Sequence, residues 1–331
     1  MFTTLVLGAT GGIGGAVALE LTRRRDPVRL LVRDLDRAAA RFPDRRRAEL
    51  VKGDVFDEST FLPATKDVDL IVFAVNFPFA QWEADFPRAT QAVINAAKQS
   101  GAAVLFPGNV YALGPASKTH YKEDAPNQPC CRVGVIRADV ERMLREAAEK
   151  SGGKMQVLNV RSGTAFGPTI RNPVVNRVFG SAVEKRPMKF AGKFTAPHQW
   201  TYAPDLARAM IDAAANRAKL GAYEVLNYPG YTTPKQEQFL RLVAERAGRG
   251  TLPIDMVSWT MLKMKSLVNK DAKYLLELQH MFDGGVLLEA GRFGRLVPGF
   301  KTTPAELAID ETVVSYRKDL EGPATEEDED E

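Results

Sequence analysis

The sequence holds few of the residues on which several kinds of site depend. Its two cysteines, Cys130 and Cys131, are neighbours, so no disulfide framework can be drawn and no zinc-ligand spacing is met along the chain. With only three histidines besides, at 120, 198 and 280, no metal centre is expected. No run of 18 apolar residues occurs, which excludes a membrane-spanning helix. The first apolar run starts within a few residues of Met1 without a cationic segment or cleavage site, so a signal peptide is not expected and a cytoplasmic location is. Internal repeats are also missing. What is present, 45% hydrophobic and 26% charged residues in 331, is the composition of a globular chain long enough for one large core or two lobes.

The formal net charge of +4 conceals an asymmetry. Residues 321–331 carry seven acidic groups and no basic one, and read as a disordered, solubilising tail. The body without them has 45 basic against 34 acidic groups, a balance that suits a phosphorylated cofactor or substrate. Nucleic acid is not expected as a partner, because the arginines at 23–25 and 45–47 lack interleaved aromatics or a reading-helix motif.

The organising stretch is the first fourteen residues. Leu5, Val6 and Leu7 form an apolar run that reads as a buried strand. Gly8, Gly11 and Gly14 follow, with Thr10, Gly12 and Ile13 between them, and Ile13, Val17 and Leu21 then recur as on one helix face. Strand, glycine turn and helix in that order make a dinucleotide-binding entrance. Gly8 permits the tight turn, Gly11 lets backbone approach a pyrophosphate, and Gly14 lets the helix pack close to the strand. The free N–H groups and the positive end of the helix then face the phosphates. Further strands are expected at 28–32, 69–75, 102–106, 155–160 and 223–228. Amphipathic helices are expected at 86–100 and 133–150, and another from Thr233-Pro234 to Arg246, with a loop from Pro107 to Pro129.

The spacing Gly-x-x-Gly-x-x-Gly resembles that of the short-chain dehydrogenase/reductase superfamily, above all its extended branch of sugar-nucleotide epimerases and dehydratases. Arg161-Ser-Gly-Thr-Ala-Phe-Gly-Pro168 is similar to that family's Arg-Pro-x-x-x-Tyr-Gly-Pro element, and the likeness can be followed to about Arg317. It implies an α/β Rossmann fold, a doubly wound parallel sheet with a smaller, mostly helical C-terminal lobe. The dinucleotide domain would span 1–165 with 196–228 returning to it, and a substrate lobe 166–195 and 229–320. The resemblance also implies a homodimer built from the helices near 86–100 and 133–150, whose Ala92, Ala96 and Ala97 suit close packing. Arg33 stands after the second strand, where an acidic residue would hold the ribose 2′-hydroxyl of NAD and an arginine suits the 2′-phosphate of NADP. NADP is therefore favoured, while Asp34 leaves NAD open. Asp54-Val55 is similar to the family's adenine-contacting pair, although Asp54 also reads as a turn former. Ala74-Val75-Asn76 is similar to the element beside the cofactor.

The catalytic Ser/Thr, Tyr and Lys of the family are where the likeness breaks down. Pro107 stands at the serine position, and Glu141 sets a helical register that puts Val133 at the tyrosine and Arg137 at the lysine. A literal Tyr-x-x-x-Lys at Tyr231–Lys235 follows the wrong strand and precedes its helix. Arg137 would either clamp the nicotinamide ribose or be a surface arginine; a guanidinium is no proton donor at neutral pH. Asn109 and Tyr111 either offer polar groups beside the nicotinamide or serve as turn and core residues. Replacement proton donors are sought among Tyr111, His120, Tyr121, His198 and Tyr202. Two functions compete. One is an NADP-dependent oxidoreductase, epimerase or dehydratase acting on a small molecule from a non-standard site, with Trp200 and Tyr202 near its mouth. The other is a non-catalytic NADP(H)-binding regulator.

Overall fold

The computed structural model describes residues 2–44, 46–114 and 120–321; the acidic tail beyond Glu321 lies outside them. Seven strands form the main sheet: β1 (Thr4–Leu7), β2 (Val28–Val32), β3 (Glu49–Lys52), β4 (Leu70–Phe73), β5 (Ala103–Asn109), β6 (Val157–Ser162) and β7 (Tyr223–Tyr228). Their spatial order is β7-β6-β5-β4-β1-β2-β3, and every neighbour pair is parallel. Parallel strands covered on both faces read as unbroken apolar runs. Accordingly Leu5, Leu70, Ile71, Val72, Val104 and Leu105 are fully buried, each burial contributing about 1.5–3 kcal/mol. The strand order reverses between β1 and β4, the switch point at which such sheets open a cleft beyond their carboxyl ends.

Helix α1 (Gly12–Arg24) follows β1 directly. Helices α2 (Trp82–Ser100) and α3 (Arg132–Glu149) pack on one another, and α4 (Ala203–Ala215) packs on α1. Arg24 ties these last two through Asp212 at 2.6 Å. Ala96 and Ala97 are already fully buried within the single chain, so they no longer call for a partner subunit.

Three expectations need correction. First, β5 runs on to Asn109 instead of ending at Phe106, pairing Pro107 with Val160 and Asn109 with Ser162. A proline is tolerated there because β4 pairs only as far as Leu105, leaving β5 with a neighbour on one side alone. Second, helix α5 (Gln236–Arg246) starts later than Thr233-Pro234 suggested, because Thr233 pairs with His198 in a strand. Third, His198–Tyr202 does not return to the main sheet. It forms a three-stranded sheet with Thr164–Phe166 and Tyr231–Thr233, while α4 and β7 do return. The C-terminal part also holds a pair of strands at Met188–Ala191 and Ile254–Val257, before helix α6 (Ala305–Glu321).

Candidate functional site

The glycine loop sits at the switch point. Gly8 has φ +81°, and a Cβ on it would stand 2.5 Å from the Ala74 carbonyl oxygen at the end of β4. A Cβ on Gly14 would stand 2.3 Å from the Gly8 carbonyl oxygen, so helix and turn touch through bare backbone. The Gly11 amide closes the turn by donating to Gly8 O at 2.9 Å. Gly12 is confined too, since Ile170 Cδ1 lies 2.8 Å from where its Cβ would be. No side chain caps α1 and no acid stands in its first turn. Its leading N–H groups therefore keep their donors and their positive end for an anion, which is the fit a dinucleotide pyrophosphate requires.

Three arginines stand on and just before the short helix that follows β2, and one of them reaches the start of α1. Arg33 is exposed at 84% and its Nε lies 4.0 Å from Asp54 Oδ2. Asp34 spends its side chain on the backbone N–H of Arg37, at 3.0 Å, capping the short helix Leu35–Arg41. Arg41, at the far end of that helix, donates from Nη1 to the Thr10 carbonyl at 3.0 Å. Its Nη2 fills the space beside Gly15, where a Cβ would lie 2.3 Å away. Burial, with the charges of Arg37 and Arg171 nearby, holds Arg41 below the ordinary arginine pKa. Arg33 is singled out in the sequence reading and Arg37 and Arg41 are not, although the three recur every four residues.

Asp54 accepts the Phe56 amide at 2.9 Å, as a turn former does, and Val55 is buried behind it. Ala74 is half-buried against Gly8, and Asn76 is exposed just past the end of β4.

Of the positions read as the family's catalytic register, Arg137 and Pro107 come together, and Val133 lies one turn before Arg137. Arg137 donates from Nη2 to the Pro107 carbonyl at 2.9 Å, and its guanidinium lies over the rings of Phe106 and Phe86, 4.6 and 5.2 Å from their centres. It is 6% exposed, so it is no surface arginine, and burial pushes its pKa down to about 10. Its Nε is buried with no protein partner among the described residues. Val133 is fully buried in the first turn of α3, and its amide donates to Glu277 at 3.1 Å. Glu141, one turn after Arg137, pairs with Arg161 at 2.6 Å, both side chains almost wholly enclosed.

The replacement donors fare unequally. Tyr111 is half-buried, stacks on Trp82 at 6.2 Å, and feels the charges of Arg137 and Cys131; burial raises its phenol pKa, so it stays protonated at neutral pH. Asn109 accepts the Tyr111 amide at 3.0 Å, the turn role. Tyr202 is 2% exposed and donates its hydroxyl to Glu311 of α6, which spends it on packing the lobe. His198 is buried between Trp200 and Phe282, its Nε2 2.8 Å from Thr164 Oγ1, and burial pushes its pKa down to about 3, so it is neutral at neutral pH. Tyr121 bonds the Gly114 carbonyl at 3.3 Å, and His120 is exposed on a strand pairing with Leu287. The phenol of Tyr231 donates to the Thr303 carbonyl at 2.5 Å, away from any lysine partner role.

A family model described as the NAD dependent epimerase/dehydratase family matches residues 4–228. No curated protein matches the chain in sequence. Among solved structures, MoeE5 in complex with UDP-glucose and NAD superposes with a TM-score of 0.73 at 21% identity, covering 96% of this chain and 99% of the other. A UDP-glucuronic acid 4-epimerase variant from Bacillus cereus gives 0.76 at 15%, over 95% and 99%. A dTDP-glucose 4,6-dehydratase from Bacillus anthracis in complex with NAD gives 0.78 at 15%, over 97% and 98%. At these identities the likeness is one of fold.

Proposed function

The chain belongs to the NAD dependent epimerase/dehydratase family, and we propose that it is an NADP-dependent oxidoreductase, epimerase or dehydratase whose site lacks the Ser-Tyr-Lys set. The observation that carries the reading is Arg41 held on the glycine loop at the start of α1, with Asp34 withdrawn into a helix cap. The α1 amides of Gly12 and Ile13 would hold the pyrophosphate, and Arg33, Arg37 and Arg41 the 2′-phosphate. Asp54, Val55, Ala74 and Asn76 would line the adenine and ribose side. Bound NADP(H) would supply or accept the hydride.

The chain's own residues would do the rest. Arg137 keeps its charge beneath the cleft and holds the end of β5 through Pro107. Its charge also favours the phenolate of Tyr111, the part a lysine plays in the family's pattern, though burial outweighs it. Tyr111 is thus the group we assign to donate the proton. The substrate is a small molecule held by residues 166–195 and 229–320; phosphate-bearing sugars suit the cationic body and are what the fold neighbours carry. A homodimer through α2 and α3 is part of the same reading, and light scattering at micromolar concentration tests it.

NADPH and NADH titrations of the purified protein, beside Arg41→Ala and Arg33→Asp, decide the cofactor. Each variant is expected to lose at least tenfold in NADPH affinity and little in NADH affinity; equal NADPH affinity in all three proteins refutes the assignment. Turnover with sugar nucleotides, ketones and aldehydes then separates enzyme from regulator. Pro107, Val133 and the enclosed Arg137 favour the regulator as the second reading, and NADPH binding without turnover on any of them would establish it.

A further inference from the structure

Cys130 and Cys131 match no metal motif along the sequence, but the fold brings His280 to them from 149 residues downstream. The two Sγ atoms and one ring nitrogen of His280 all lie within 4.8 Å of one another. Nδ1 of His280 stands 3.2 Å from the Glu277 carbonyl oxygen, which fixes the proton on Nδ1. That leaves Nε2 with its lone pair free, and it is buried without a protein partner among the described residues. A buried acceptor with nothing to accept calls for an explanation, and an ion is one of the few available. A backbone carbonyl fixing the other ring nitrogen is also the usual support of a metal-bound histidine.

We infer that Cys130 Sγ, Cys131 Sγ and His280 Nε2 form a three-ligand site for a thiophilic cation, zinc(II) in the first place. Two thiolates and an imidazole select zinc over magnesium or calcium, which require oxygen ligands. A tetrahedral zinc with bonds of about 2.0–2.3 Å would hold its ligand atoms roughly 3.5–3.8 Å apart. The present spacing needs a closure of about 1 Å, within reach of thiol rotation because Cys130 is exposed and Cys131 half-exposed. Binding would release the thiol protons, and the fourth position would stay open to water or a substrate oxygen.

The place gives the site its interest. Cys131 is the N-cap of α3, and its Sγ lies 3.3 Å from where a Cβ on Gly134 would be, beside Tyr111. Val133, in the tyrosine register, is two residues on. A cation held there stands at the start of the helix that should have supplied the catalytic acid, with an open position able to polarise a carbonyl oxygen. That role rests on the proposed cleft; the binding of the cation does not.

Reduced protein stripped with a chelator and titrated with cobalt(II) alone is expected to bind one equivalent and to show a thiolate-to-cobalt charge-transfer band, lost on adding zinc. Cys130→Ser and His280→Ala should each weaken zinc at least tenfold while circular dichroism and NADPH affinity stay unchanged. Cys130 is exposed, so its variant guards against loss of the fold. Absence of the band, or zinc affinity unchanged in both variants, overturns the site. If zinc binds and its removal leaves turnover intact, the catalytic role falls and the site stands. If removal abolishes turnover while NADPH still binds, both hold.

Discussion

The pair Arg161–Glu141 joins α3 to β6, and replacing Glu141 by Gln probes it most sharply. The Arg161 Nη2 to Glu141 Oε2 contact is 2.6 Å, with side chains 1% and 2% exposed. Asn127 closes the network, donating to Glu141 at 3.0 Å and accepting from Arg161 at 2.8 Å. Arg137 lies one turn away, enclosed, and the Glu141 charge opposes the burial that pushes it down to about 10. Glu141 thus pairs with one buried guanidinium and lends its charge to a second. Removing one partner of such a pair leaves an uncompensated charge and costs about 3–5 kcal/mol. Glu141→Gln should lose that much by urea unfolding at pH 7. Adding Arg161→Met should then recover part of the loss, and Arg137→Met more. A loss below about 1 kcal/mol, or a deeper one on adding Arg161→Met, refutes the account. Acid gives a second check. Burial alone would raise the Glu141 pKa, but the Arg161 charge and hydrogen bonds outweigh it and hold the group below the ordinary carboxylate range. A depressed folded pKa stabilises above the unfolded value and is lost as pH falls through the folded one, so the gap between wild type and Glu141→Gln should narrow below about pH 4.

Gly14→Ala places a Cβ 2.3 Å from the Gly8 carbonyl oxygen. It should cost about 1–3 kcal/mol in thermal unfolding and weaken NADPH; full NADPH affinity would contradict the loop assignment. His198, neutral in the fold with its pKa down at about 3, takes up its proton only on unfolding. Stability should therefore fall as pH drops from about 6.5 towards 3, by about 2 kcal/mol from this group at pH 5, and His198→Gln should flatten that part of the curve. Tyr202→Phe strands the Glu311 carboxylate and should lose about 1–3 kcal/mol without a tenfold fall in turnover. A tenfold fall would return Tyr202 to the site.

Whatever depends on neighbours in sequence was legible; whatever depends on strands crossing was not. Gly8, Gly11 and Gly14 announce a turn because a glycine's freedom is a local property, and at Gly8 and Gly14 a Cβ would indeed meet backbone. The main-sheet strands could be read because a strand covered on both faces is an unbroken apolar run. The end of β5 misled, since Pro107 breaks a strand only where neighbours flank both sides, and that depends on where β4 stops. Tyr202 and His198 are candidates in the sequence because their segment reads as lying beside the pocket, although a lone loop histidine is more often a bystander than a base; the pairing of their strand with Thr164–Phe166 and Tyr231–Thr233 goes with their burial. Arg41 reaches Thr10 across 31 positions, and His280 reaches Cys131 across 149, contacts that no spacing rule encodes. One of these long-range arrivals brings a cation to the start of α1, the other an imidazole to the two thiols at the start of α3. On the proposed reading, the substitutions at Pro107, Val133 and Arg137 do not exhaust the site, because Arg41 and His280 reach it from distant parts of the chain.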